Sequence, residues 1–256
     1  MSFTKPVEVK SVGKCWNRAY RWSGGEKETV LEDGRKVKEL RPNVMSYNAE
    51  TEQKEYFDPN MKMAVVGFTT GVTGFVPGQT AQDKGIRYFS NEVVDSFSQP
   101  IKVFKVDGTG TNVIFDGLYS AVKNNKPQGL KFVNYLYFYD FDTKVINRFE
   151  ITGAALGPWF NLDKADGVLH KRWLKIMPGD TKRVGQNDFI EPVLEYGDLF
   201  SQAEIDEIVN SEAYKTYDMW EQKLRDNQVD TGDFAVDQTP AQYEGEGSQE
   251  YPDAST

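Results

Sequence analysis

The run Lys131-Phe132-Val133-Asn134-Tyr135-Leu136-Tyr137-Phe138-Tyr139-Asp140 constrains this chain more than any other stretch. Successive side chains of an extended strand point to opposite faces. Phe132, Leu136 and Phe138 then form an ordinary core stripe, while Val133, Tyr135, Tyr137 and Tyr139 share the other face. Tyrosine joins an apolar ring to a polar tip, so such a row is either a second core or a platform for planar ligands. The choice between the two decides the function.

The rest of the composition agrees with strands. Sixteen Phe and thirteen Tyr in 256 residues suit a sheet better than a helix bundle. That length allows one large domain with additions. No apolar run approaches the roughly 20 residues that span a bilayer. Met1-Ser2-Phe3-Thr4-Lys5-Pro6 has no signal-peptide core, so the expected location is cytoplasmic, or the host cytoplasm for a phage-encoded chain.

Charge is unevenly distributed. Residues 1–200 hold 27 basic and 25 acidic side chains, so the body is weakly basic. Asp226 to Thr256 holds eight acids and no Lys or Arg, within Gly, Pro, Gln and Ser. The expected organisation is a domain over 1–226 and a disordered acidic arm over 227–256.

Taken in order, Lys14 to Trp22 alternates, with Lys14, Trp16, Arg18, Tyr20 and Trp22 on one face. Basic and aromatic residues interleaved this way suit a polyanion with stackable groups. An edge strand whose cationic stems cover its rings is the plainer alternative. The charged segment 24–60 shows little periodicity, and Glu50–Asp58 reads as a surface excursion with some helix. Met61–Thr70 predicts a buried strand, followed by a glycine-punctuated loop. Strands are expected near Gly85–Val93 and Pro100–Val106, then a short helix over Asp116–Asn125 with Asp116 as its cap and Leu118, Ala121 and Val122 buried. Lys144–Thr152 pairs back on the tyrosine strand as a hairpin. Gly153–Phe160 predicts a short helix, and His170-Lys171-Arg172-Trp173-Leu174-Lys175-Ile176 is the densest basic cluster. A strand at Phe189–Tyr196 precedes a capping box at Ser201 and Glu204, which opens one long helix with Ile205, Val209, Ala213, Tyr217, Trp220 and Leu224 as its buried stripe.

Enzyme chemistry finds little support. His170 is the sole histidine, in a basic run with no local acid to orient it. Cys15 is the sole cysteine, so neither an internal disulfide nor a cysteine zinc site can form. Its place between Lys14 and Trp16 can lower a thiol pKa, with a packed structural thiol as the alternative. Asp140/Asp142 and Asp163/Asp166 sit at turns, where turn propensity explains them. Gly67, Gly71, Gly74 and Gly78 do not form a phosphate loop. We expect no catalysis, no cofactor and no bound metal.

Nucleic-acid binding fits more of the chain. The candidate contacts are Trp16, Arg18, Tyr20, Trp22, Arg87, Tyr88, Lys131, Tyr135, Tyr137, Tyr139, Lys171, Arg172 and Trp173, combining phosphate contacts with stacking. Core packing is the competing role for each ring. The acidic arm would compete with DNA for a basic groove or recruit replication and recombination proteins.

Arg87-Tyr88-Phe89-Ser90-Asn91-Glu92-Val93, Asp116-Gly117-Leu118-Tyr119, Gly129-Leu130-Lys131-Phe132 and Gly153-Ala154-Ala155-Leu156 followed by Trp159 together resemble phage and mobile-element single-stranded DNA-binding proteins with an OB-fold. Phe189-Ile190-Glu191-Pro192-Val193 before an amphipathic helix is similar too. The resemblance spans roughly residues 60–225. It implies a Greek-key barrel elaborated with helices, binding single strands without sequence preference in replication or recombination. The tail ends Tyr251-Pro252-Asp253-Ala254-Ser255-Thr256, without the apolar tip of the better-known bacterial pattern. The expected fold is therefore β-rich α+β: an OB-like barrel, an inserted short helix, a long C-terminal helix and the acidic tail. A phage structural, assembly or adaptor protein using the tyrosine row as a protein interface is the alternative.

Overall fold

The tyrosine strand lies at the centre of the sheet as β10 (Leu130–Asp140), paired antiparallel with β6 (Met61–Val76) on one side and β11 (Val145–Thr152) on the other. The computed structural model describes residues 15–48, 51, 53–79, 85–93, 99–162, 171–184 and 187–226. The lead-in at 1–13, His170 and the acidic tail fall outside the described residues.

The molecule is β-rich with a large mixed sheet and a few helices. From the left edge its order is β5 (Gln53–Phe57), β4 (Asn43–Asn48), β1 (Ala19–Ser23), β11, β10, β6, β7 (Ile86–Ser90), β8 (Pro100–Asp107) and β9 (Gly110–Leu118). Only the β1–β11 pair is parallel among the described ladders; the others are hairpins or antiparallel neighbours. A separate hairpin joins β2 (Glu26–Val30) to β3 (Lys36–Leu40). The charged segment after Gly24 is thus strand rather than loop or helix. Its ladders pair the backbone, while the described side chains of β3 and β5 are mostly exposed and Val44 and Ser46 of β4 are buried, which explains the weak periodicity.

The even face of β10 behaves as expected. Leu136 and Phe138 pack with Val65, Phe149, Ile151 and Trp159. The hairpin of β12 (Arg172–Val184) and β13 (Asn187–Leu199) covers this face. β12 is hydrogen-bonded to the start of β6, pairing Leu174 with Met63. At the other side Ile190 N–H donates to Gly24 O at 2.8 Å, and Trp22 Nε1–H donates to Ile190 O at 2.9 Å. A Cβ at Gly24 would lie 2.1 Å from that carbonyl, so the closure requires glycine there. Helix α1 (Leu156–Asn161) inserts Trp159 into the same cluster.

The odd face overturns the platform expectation. Tyr135, Tyr137 and Tyr139 are 8 %, 0 % and 2 % exposed. All three pack under the C-terminal helices α2 (Gln202–Asn210) and α3 (Glu212–Arg225), with Ile208, Tyr217, Trp220 and Leu224. The row is a second core. Gly67 makes the docking possible: the Tyr217 hydroxyl lies where its Cβ would be, 1.9 Å away.

The single long helix is also corrected. The capping box at Ser201 and Glu204 is present, but Ser211 adopts an extended ψ of 143°, ends α2 and caps α3. Ser211 Oγ accepts from Tyr214 N–H at 3.1 Å and donates to Ile208 O at 2.7 Å. The break turns Val209 outward and leaves Ile208 as the buried residue of α2. Between β9 and β10 the expected helix is a 3-10 helix over Tyr119–Asn125; Asp116 and Leu118 belong to β9, and Tyr119 and Val122 are the buried residues.

Replacing Trp220 by Ala is expected to cost about 3–5 kcal/mol, whereas Phe160→Ala, at an exposed site on α1, stays within about 0.5 kcal/mol. Urea denaturation of the two variants checks the pair.

Candidate nucleic-acid interface

Beneath α3 the two buried faces of charge and ring meet at Arg148. β11 carries it opposite Tyr137, and Glu150 opposite Tyr135. An alternation of charged with apolar residues ordinarily marks a solvated strand face; here that face is covered. Arg148 is 4 % exposed. Its guanidinium lies 4.0 Å from the Trp16 ring centroid and 4.3 Å from that of Tyr135. Nη1 donates to Glu92 at 3.1 Å and Nη2 to Glu150 at 2.7 Å. Thr69 and Tyr137 hydroxyls also donate to Glu92. Arg21 reaches the second oxygen of Glu150 at 3.3 Å.

These contacts set the titration of the cluster. Burial pushes the Glu150 carboxyl up, but Arg21 and Arg148 outweigh it and hold the group below its ordinary value. Burial dominates at Glu92 and raises it against the pull of Arg148. Burial likewise pushes the Cys15 thiol far above its usual range, with Glu92 adding to the effect. Cys15 is therefore a packed thiol and not an activated one.

The sequence-derived contacts separate accordingly. Trp16 is buried on the tyrosine face, 5.9 Å from Tyr137 and 6.1 Å from Trp220. Tyr20 and Trp22 pack on the opposite face. The expected common face fails because β1 begins only at Ala19, and the preceding residues follow a different phase. Trp22 is tied to Ile190, and Tyr88 is buried beneath the 3-10 helix. Arg87 is half-buried on β7, in the field of Glu150, Tyr135, Arg148 and Arg21. Lys131 is exposed at the start of β10, opposite Thr73. Lys171 is exposed, and Arg172 Nη1–H donates to Gly197 O at 3.4 Å.

Arg18, Tyr20 and Trp173 are brought together with residues the sequence reading passed over. Arg18 lies 5.7 Å from the Phe57 ring centroid, and its Nη1 donates to Glu55 at 2.6 Å. Tyr20 meets Phe57 edge-on at 5.3 Å. Lys62 Nζ sits 4.0 Å over Trp173. Trp173 in turn meets Phe141 at 5.5 Å, and Lys144 Nζ lies 5.9 Å over Phe141. Phe57, Tyr20, Trp173 and Phe141 are all half-buried, and Lys62 and Lys144 are exposed. Residues at the starts and ends of β1, β5, β6, β10 and β12 thus present a ribbon of cations seated on rings. A cleft of about 310 Å³ opens between Tyr20, Phe57, Asp58, Asn60, Met61 and Lys62. Carboxylates accompany each cation: Glu55 beside Arg18, Glu207 bonded to Lys144, and Glu204 in the field of Lys62.

The missed residues had a signal. Phe57 and Lys62 flank an Asp-Pro-Asn turn, and Phe141 and Lys144 flank the hairpin turn after the tyrosine strand. Rings and cations at strand ends escape a search that follows strand faces. Among the described residues no group of acids, His or Cys is placed to hold a metal ion. No described helix is long and apolar enough to cross a membrane. No family model, curated protein or solved structure matches this chain.

Arg148→Met is expected to cost about 3–5 kcal/mol at pH 7.5, because Glu92 loses its buried cation and Glu150 one of its two. The wild-type Glu150 contribution is complete above its ordinary value of 4.5 and is lost as pH falls through its lower folded value. In the variant Glu92, already raised by burial, loses the pull of Arg148 and titrates higher still, so protonation relieves the penalty. Urea denaturation should show a smaller difference between the two proteins at pH 4.5 than at pH 7.5.

Proposed function

We propose that this chain binds single-stranded DNA without general sequence preference, along the ribbon that runs from Arg18 and Phe57 through Lys62 and Trp173 to Phe141 and Lys144. The observation that carries the reading is the seating of Arg18, Lys62 and Lys144 on Phe57, Trp173 and Phe141 in one continuous track. Single-strand binders combine cations for the phosphates with rings on which bases stack, each stack contributing roughly 1–3 kcal/mol. Cations seated against rings keep both kinds of group at one surface. Their carboxylate neighbours yield to phosphate by exchange, so affinity falls as salt rises.

The fold belonging to this reading is an OB-like Greek-key barrel, supported by the pairing of the long β6 with β10, β7 and β12 and by the hydrogen bonds of β13 to Gly24 and Trp22. The setting is phage or mobile-element replication or recombination. The acidic arm over 227–256 competes for the ribbon or recruits partners there. One feature favours the second reading, an assembly or adaptor protein: edge strand β9 exposes Val113, Ile114 and Leu118.

Adding oligo-dT at low ionic strength should quench tryptophan fluorescence, and Trp173→Ala should weaken binding about fivefold or more. Deleting 227–256 should tighten binding, most strongly at low salt. Absence of any salt-sensitive binding by the intact chain contradicts the reading, and a stable oligomer that ignores DNA supports the second one.

A further inference from the structure

We infer that the cleft beside the paired rings of Tyr20 and Phe57 is a nucleobase site that prefers guanine, so one position of an otherwise unselective track reads its base. The inference rests on the single-stranded DNA reading and deepens it. The cleft volume, about 310 Å³, lies at the lower end of small-ligand sites. Tyr20 and Phe57 touch edge to face, 5.3 Å between centroids, and together form one half-buried aromatic wall on which a base can stack, while Met61 adds apolar surface to the lining. Lys62 lines the cleft while its ammonium rests on Trp173, a position from which it can meet the phosphate beside an inserted base.

The polar rim determines the base. Asn60 donates to Asp58 Oδ1 twice, from its backbone N–H at 2.7 Å and from Nδ2 at 3.1 Å. Asp58 Oδ2 and Asn60 Oδ1 have no hydrogen-bond partner among the described residues, so the rim offers acceptors. A carboxylate here repels phosphate and only accepts hydrogen bonds. Guanine has two adjacent Watson–Crick donors, N1–H and N2–H, to offer to the two open acceptors, Asp58 Oδ2 and Asn60 Oδ1. Adenine and cytosine place an acceptor beside their amino group, and thymine flanks its single N–H with two carbonyls. Base edges in single strands are read in this manner once the base is splayed from its neighbours and stacked on a ring.

The test compares labelled oligo-dT with the same oligonucleotide carrying one central dG or one deoxyinosine, by fluorescence anisotropy with the full chain. The dG strand should bind about fivefold or more tighter than oligo-dT, given what a good bidentate base contact contributes to discrimination. Deoxyinosine, without the N2 amino group, should lose most of that gain. Asp58→Asn keeps an acceptor for the turn and should bring the dG-to-dT ratio close to one. Equal binding of dG and dT strands, full retention of the gain by deoxyinosine, or a preference that survives D58N overturns the guanine pocket alone. Failure of every oligonucleotide to bind overturns it together with the single-stranded DNA reading.

Discussion

A buried cation holds the centre of this molecule. Arg148 is enclosed by the faces of Trp16 and Tyr135 and bonded to Glu92 and Glu150. Taking such an ion from water costs several kcal/mol, which returns only if every partner is in place. The partners come from separate parts of the chain: Trp16 before β1, Glu92 after β7, Tyr135 and Tyr137 on β10 and Glu150 on β11. Their agreement on one position aligns β1, β10 and β11. It also explains why α3 must close the face, since rings from Tyr217 and Trp220 complete the shelter around Tyr137.

That arrangement moves recognition away from the tyrosine row. With the odd face under α2 and α3, and the even face under β12 and β13, the described middle of the sheet is covered on both sides. Strand ends remain. There the rings of both cores emerge half-buried: Tyr20 and Phe57 from the even side, Phe141 and Trp173 from the odd side. The binding surface we propose is the rim of two cores, and its rings are rigid because their inner edges are packed. Rigidity of this kind lowers the ordering cost of binding.

Much of the local structure was legible from the residues. The apolar stripe of Leu136 and Phe138, the hairpin through Asp140–Lys144, the capping box at Ser201 and the buried Tyr217, Trp220 and Leu224 all depend on neighbours a few positions away. The fate of the tyrosines depends on a helix some 80 residues later folding back over them, and alternation alone cannot tell a ring covered by α3 from one awaiting a base. The same limit hid the phase change between Trp16 and Tyr20 and the break at Ser211. Of the candidate contacts, Arg18, Tyr20 and Trp173 reach the ribbon, and Phe57, Lys62, Phe141 and Lys144 join them only through long-range pairing.

The account therefore turns on which rings DNA covers. Hydroxyl-radical footprinting of the full chain with and without saturating oligo-dT measures this directly. We predict that Tyr20, Phe57, Phe141 and Trp173 react in the free protein and become protected, while Tyr135, Tyr137 and Trp16 stay unreactive in both states. Reactive tyrosines at 135 and 137 that DNA then protects would contradict the account, since the row would be a binding floor and its helical cover open in solution.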